Sequence, residues 1–244
     1  MSGPHDATDG SATGHPVVVM LARSPFAPGK TRLTSGLAPA AAAALREALL
    51  RDTLEAALAP GWPLHVYVTP AEDLARMPAW LAGDPALAGH AARVTWHVQA
   101  GEDLGARMVA ALATAFDAGH EVALLVGSDI PDLPPAALTA AHAALVARPR
   151  ESCVVFGPAM DGGFYLVAAT GASALADACA GVTWSQPSVL ADVSARLVAA
   201  GVEVATVTPW ADVDDAAQLA ALLARSGGTA RRTREAASQC PPLQ

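Results

Sequence analysis

Two fixed cations, Lys30 and Arg32, lie two residues apart on a short loop stiffened by Pro25, Pro28 and Gly29. The loop follows the run Val17-Val18-Val19-Met20-Leu21-Ala22, the pattern of a buried parallel strand. Cations at the carboxyl end of a first strand suit a polyphosphate: backbone N–H groups can approach the anion there while the side chains neutralise it. Gly29-Lys30-Thr31 also reproduces the end of a Walker A loop. Ser24, however, stands where that motif needs its first glycine, and Pro25 and Pro28 remove N–H donors from the cradle. No helix is expected to start on Lys30-Thr31; the next helical run begins near Pro39, a residue suited to a first turn. An ordinary basic strand-to-helix loop is the alternative reading of the segment.

Carboxylates recur at matching places. In Leu124-Leu125-Val126-Gly127-Ser128-Asp129 an apolar strand ends at a glycine and an aspartate follows. That puts Asp129 in the crevice where open α/β sheets bind ligands. A carboxylate beside a polyphosphate is repulsive unless a divalent cation lies between them, so Mg²⁺ or Mn²⁺ is expected there. Asp132, three residues on, reads rather as a cap for the following helix. Further along, Asp212, Asp214 and Asp215 cluster between a strand and a helix. Capping and the helix dipole account for Asp215. Asp212 and Asp214 share one side of an extended segment and could give the metal its second carboxylate. In Asp161-Gly162-Gly163, between two apolar strands, an Asp-Gly turn needs no further explanation. The paired glycines would nonetheless let a substrate approach the backbone, and Asp161 could then orient or deprotonate an acceptor hydroxyl.

These residues need a scaffold, and the hydrophobic pattern supplies one. Strands are expected over 17–21, 64–69, 94–98, 122–126, 153–156, 164–168 and 202–207, and helices over 40–58, 102–118, 135–147, 173–178, 186–200 and 215–224. The alternation implies an α/β fold with a mostly parallel sheet covered by helices on both faces. The chain of 244 residues is 52% hydrophobic, enough for one large core. One domain is expected over 15–225, between disordered tails over 1–14 and 226–244. A net charge of −8 without a basic stripe argues against nucleic acid as a partner. The cysteines Cys153, Cys179 and Cys240 form neither a metal pattern nor a disulfide framework. With no signal-like start and no apolar run of spanning length, a cytoplasmic protein without a membrane span is expected.

Taken in order, the motifs resemble the GT-A superfamily of nucleotide-diphospho-sugar transferases. They are Pro28-Gly29-Lys30-Thr31-Arg32-Leu33, Gly101-Glu102-Asp103-Leu104-Gly105-Ala106-Arg107-Met108 and Gly127-Ser128-Asp129-Ile130-Pro131-Asp132-Leu133. Gly157-Pro158 with Asp161-Gly162-Gly163-Phe164-Tyr165-Leu166, Trp184-Ser185 and Asp212-Val213-Asp214 follow. The resemblance spans 16–223 and is nearest to the radical-SAM/selenodomain-associated transferases, the arsenosugar-biosynthesis-type glycosyltransferases. It extends more distantly to 2-phospholactate guanylyltransferase and molybdenum cofactor guanylyltransferase. Relatives commonly carry extra residues between the Pro-Gly pair and Lys-Thr-Arg-Leu, whereas Gly29 here abuts Lys30.

The resemblance implies a nucleotide site formed by Ala22, Lys30, Arg32, Gly105, Arg107, Ser128 and Asp129. It implies Mg²⁺ or Mn²⁺ on Asp129, Asp212 and Asp214, and an acceptor side of Asp161, Gly162, Gly163 and Trp184, with Asp161 and Lys30 as catalytic candidates. The partners implied are a nucleotide sugar or a nucleoside triphosphate, and a small-molecule acceptor. With a nucleotide sugar the chain would transfer a glycosyl group; with a triphosphate it would transfer a nucleotidyl group and release pyrophosphate. Glycosyl transfer is the reading preferred, over nucleotidyl transfer and over a non-catalytic nucleotide-binding module.

Overall fold

Seven apolar runs form strands: β1 (Pro16–Arg23), β2 (Leu64–Thr69), β3 (Val94–Val98), β4 (Val122–Gly127), β5 (Cys153–Pro158), β6 (Phe164–Ala169) and β7 (Glu203–Thr206). The computed structural model describes residues 15–225 and 227–240. The expected N-terminal tail, 1–14, lies outside the described residues. The strands join one sheet in the order β3-β2-β1-β4-β6-β5-β7. All neighbours pair in parallel except β6, which runs antiparallel to both β4 and β5 because a tight turn joins it to β5. This is the mixed α/β, mostly parallel sheet the pattern predicts.

The strand residues alternate between two cores. Val18, Met20 and Ala22 of β1 enter one cluster, while Val17 and Val19 enter the other. Burial on both faces is why β1 and β4 are apolar almost throughout. A third, smaller cluster joins Leu33, Leu45, Leu49, Val213 and Leu219 beside the carboxyl ends of the strands.

The helices are α1 (Thr31–Thr34), α2 (Pro39–Leu58), α3 (Met77–Ala82), α4 (Pro85–Ala88), α5 (Leu104–Asp117), α6 (Pro135–Val146), α7 (Ser173–Cys179), α8 (Val189–Ala199), α9 (Ala216–Ala224) and α10 (Arg231–Ser238). Local chemistry sets several of their starts. Pro39 opens α2, Asp103 caps α5 through the Ala106 N–H at 2.8 Å, and Asp215 forms a capping box with Gln218 at α9. Among the described residues no helix is long and apolar enough to cross a membrane.

Three expectations need correction. A helix does start after Lys30: the single turn α1, entered through Lys30 at φ 54°. The segment between β2 and β3 holds α3 and α4, whose short apolar spacing falls below what periodicity can separate from a loop. The stretch 226–244, read as a disordered tail, contains α10, which packs on α2. Its composition is polar because its anchoring is ionic: Arg232 reaches Asp52, Glu55 and Asp84.

Candidate functional site

The chain leaves β1 toward β2 on one side and returns to β4 on the other. Such a reversal opens a crevice beyond the carboxyl ends of the two strands. Two clefts lie there, of about 450 and 290 Å³, and both touch Leu21, Leu104, Ser128 and Asp129.

The larger cleft is bounded by the loop after β1, the inner face of α2 and the end of β4. Ala22, Lys30, Arg32, Ser128 and Asp129 all line it. Local geometry brings Lys30 inward. A Cβ on Gly29 would fall 2.7 Å from Arg23 Cδ, so the glycine lets Arg23 fold back over the loop and donate to Pro28 O at 3.0 Å. Lys30 then takes a left-handed backbone conformation and turns its side chain toward the sheet. Its Nζ donates to Val213 O at 2.8 Å, pairs with Asp129 Oδ2 at 2.8 Å and also pairs with Asp214. Burial works against the ammonium charge, but Asp129 and Asp214 outweigh it and hold Lys30 above the usual lysine value. Burial pushes the Asp129 carboxyl up in spite of Lys30. The Val213 N–H donates to Asp129 O at 2.9 Å, which pins the 212–214 segment against the end of β4.

Two residues of this cleft escape motif reading. Arg46, on α2, lines it together with Leu49 and Leu50. Gln99 also lines it and donates its side-chain amide to Ala22 O and Tyr67 O, both at 3.0 Å. The helical spacing of 46, 49 and 50 was the available signal for Arg46. An arginine on a helix is ordinarily a surface residue, which hid it.

The smaller cleft lies on the other side of Asp129, among Asp161, Asp212, Phe164 and Trp184. Gly162 sits at φ 89°, and a Cβ there would fall 2.0 Å from Pro187 O, so this turn demands glycine. Asp161 Oδ1 accepts from the Gly163 N–H at 2.9 Å, fixing the carboxylate over the turn. Burial, then the fields of Asp214 and Asp161, raise the Asp212 carboxyl to about 6. The described residues around this cleft include no lysine or arginine.

Other expected residues have different placements. Gly105 is buried where a Cβ would meet the Trp184 ring at 2.6 Å, so it admits the indole against α5. Arg107 lies outside the lining of both clefts; its Nε donates to Gly101 O at 3.1 Å and steadies the loop before α5. Asp132 is not a cap. It is buried, accepts from Trp210 Nε1 at 3.0 Å and pairs with Arg225 at 2.8 Å, while Pro134 and Pro135 start α6 without a side-chain cap. Asp129, Asp212 and Asp214 do converge on Lys30. Among the described residues, however, no three carboxylate, imidazole or thiol groups are grouped to hold a metal ion by themselves. Asp214 is committed to Lys30 and lies 3.6 Å from Arg32.

Comparison with known proteins agrees with this architecture. Residues 53–186 match a family described as "Uncharacterized protein conserved in bacteria (DUF2064)". A Desulfovibrio desulfuricans G20 protein described as a "putative nucleotide-diphospho-sugar transferase" superposes with a TM-score of 0.77 at 29% identity, over 92% of this chain and 96% of that one. Two others share the fold alone. The 4-diphosphocytidyl-2C-methyl-D-erythritol synthase of Anaerococcus prevotii DSM 20548 has a TM-score of 0.56 at 10% identity, over 87% of this chain and 99% of that one. A nucleotidyl transferase from Methanothermobacter thermautotroptrophicus has a TM-score of 0.51 at 16% identity, over 85% and 95%. No curated protein matches the chain.

Proposed function

The chain belongs to the DUF2064 family, and from that premise and the two clefts we propose that it transfers a glycosyl group from a nucleotide-sugar donor to a neutral small-molecule acceptor. One observation carries the reading: a cationic cleft and a carboxylate-and-aromatic cleft meet at Asp129. The first suits the nucleotide diphosphate. The second suits a polyhydroxylated molecule, whose C–H faces can lie on Trp184 or Phe164 while its hydroxyls donate to carboxylates. A phosphorylated acceptor would instead face Asp129, Asp161 and Asp212 with no lysine or arginine among the lining residues. The motif order supports a place among the radical-SAM/selenodomain-associated, arsenosugar-biosynthesis-type glycosyltransferases.

In this reading Asp161 orients the acceptor hydroxyl and takes its proton as the hydroxyl attacks the anomeric carbon. Lys30 holds Asp129 and Asp214 in place. The donor set fits Mg²⁺ or Mn²⁺, because Asp129 and Asp212 are hard oxygen ligands, and burial together with the neighbouring carboxylates disfavours the unneutralised Asp212 charge. Asp129 and Asp212 would hold the ion together with donor phosphate oxygens. When bound, it would offset charge developing on the leaving diphosphate.

Nucleotidyl transfer is the second reading, favoured by the Lys30–Arg32 loop, which would equally suit a triphosphate. Thermal-shift screening of nucleotide sugars and nucleoside triphosphates, with Mn²⁺ and with a chelator, separates the two, since bound ligand stabilises by mass action. The reading expects metal-dependent stabilisation by at least one nucleotide sugar, and sugar transfer to polyol acceptors. Stabilisation by triphosphates alone, with pyrophosphate released, would establish the second reading instead.

A further inference from the structure

The cleft holds more cationic groups than its anion can use equally, and their present partners distinguish them. Arg23 is spent on Pro28 O. Lys30 is held between Asp129 and Asp214. Arg32 is exposed and lies 3.6 Å from Asp214. Arg46 differs from all three. It lines the same cleft, has no hydrogen bond or ion pair among the described residues, and its Nε is sealed from water without a partner. Five residues further along α2, Arg51 also has a sealed nitrogen, Nη1, but its guanidinium is paired with Glu47 and Asp84, which Arg46 lacks. Shielding a guanidinium donor with nothing to receive its proton is unfavourable. Such a group persists where a ligand completes it.

Resting on the reading of this cleft as the nucleotide site, we infer that Arg46 is the principal phosphate-binding residue, and that Lys30 is a positioning residue for Asp129 and Asp214. The charge balance supports the division. Lys30 with its two carboxylates sums to one net negative charge, so that cluster offers a phosphate no attraction of its own. Arg46 on the α2 wall and Arg32 at the rim supply the attraction. A guanidinium fork also matches two phosphate oxygens at once, which a lysine cannot do. The anionic part of the nucleotide therefore lies on the α2 side of the cleft, and the Asp129 side is left for the metal and the reacting sugar.

Calorimetry with UDP, GDP, CDP and ADP, their nucleosides and inorganic pyrophosphate tests this, in Mg²⁺ buffer with the full chain. Arg46→Gln should weaken diphosphate and pyrophosphate binding roughly tenfold or more, the loss of one charge-assisted contact. It should leave the nucleoside unchanged. Arg46→Lys should recover part of the loss, and Arg150→Gln, at an exposed arginine remote from the clefts, should match the parent. Parental diphosphate affinity in Arg46→Gln overturns the assignment, and so does unfolding of both Arg46 variants, which would make the residue structural. If the parent binds pyrophosphate but none of the nucleotides, the nucleotide reading fails while Arg46 is still judged on pyrophosphate. If the parent binds neither, both fall.

Discussion

Asp161 shows how a turn residue is made available for chemistry. Its Oδ1 is occupied by the Gly163 N–H, and Gly162 tolerates no side chain, so the carboxylate has one orientation over the smaller cleft. Asp161→Asn should preserve the turn, since Asn-Gly is an equally good turn pair. Nucleotide affinity should be unchanged if the phosphates bind in the other cleft, as proposed. Transfer to the acceptor should fall ~10²–10⁴-fold, the range for a lost general base. Steady-state assay beside calorimetry decides it: parental turnover reduces Asp161 to a turn former, and lost nucleotide affinity moves it to the donor side. At this scale the sequence was informative wherever a residue type is rare at its position. Lys30 after a Pro-Gly loop and Asp129 at a strand end stood out for that reason. Arg46 did not, because only the tertiary fold reveals that its helix face looks into a cleft rather than into water.

Between single residues and the whole chain stands a cluster of imidazoles on β2, β3 and the loop between α5 and β4. His65 lies with its ring 5.1 Å from those of both His97 and His120, and Tyr67 stacks on His97. Burial, then the fields of His97 and His120, lower His65 to about 4. The unfolded chain, with His65 near its ordinary 6.5, takes up a proton first as pH falls. The stability that His65 contributes is thus complete above about pH 6.5 and is lost between there and about pH 4. Asp212, raised to about 6, has the opposite slope in an overlapping window, so the parent alone does not separate them. Urea unfolding of parent and His65→Leu at pH 7, 5.5 and 4.5 does. The variant's disadvantage should shrink, or reverse, toward low pH, and a constant difference would place His65 outside the acid response. These histidines carried no periodic signal. The strands around them did, and β2 and β3 fall where alternation and apolar runs put them. The short helices α3 and α4 were hidden because one turn of apolar spacing is indistinguishable from a loop.

The whole molecule is closed by its least apolar element. Asp52 on α2 is 4% exposed, and its carboxylate is satisfied by groups from α10: Arg232 Nη1 at 3.0 Å, the Arg232 N–H at 3.3 Å and the Thr233 N–H at 2.7 Å. Arg234, from the same helix, donates to Leu222 O and Leu223 O, both at 2.9 Å, and to Arg225 O at 2.7 Å, satisfying the carbonyls at the end of α9. Hydrophobic periodicity cannot see such an anchor, which is why 226–244 read as a tail. The physics nonetheless makes it a fastening. Ending the chain after Arg225 removes every one of those partners together with the helix that covers Asp52. Losing that ion pair and the packing of α10 on α2 should cost about 3–5 kcal/mol, which in a chain of this size lowers Tm by roughly 6–20 °C. Arg232→Met should lose much of the same stability while keeping the helix in place, and Asp52→Asn combined with Arg232→Met should be milder than Arg232→Met alone, because no buried charge is stranded. α2 also carries Arg46, so the truncated chain should weaken in nucleotide binding as it loosens. A chain ended after Arg225 that melts with the parent and binds nucleotide equally well would show that α10 rests on the surface without holding the cleft wall.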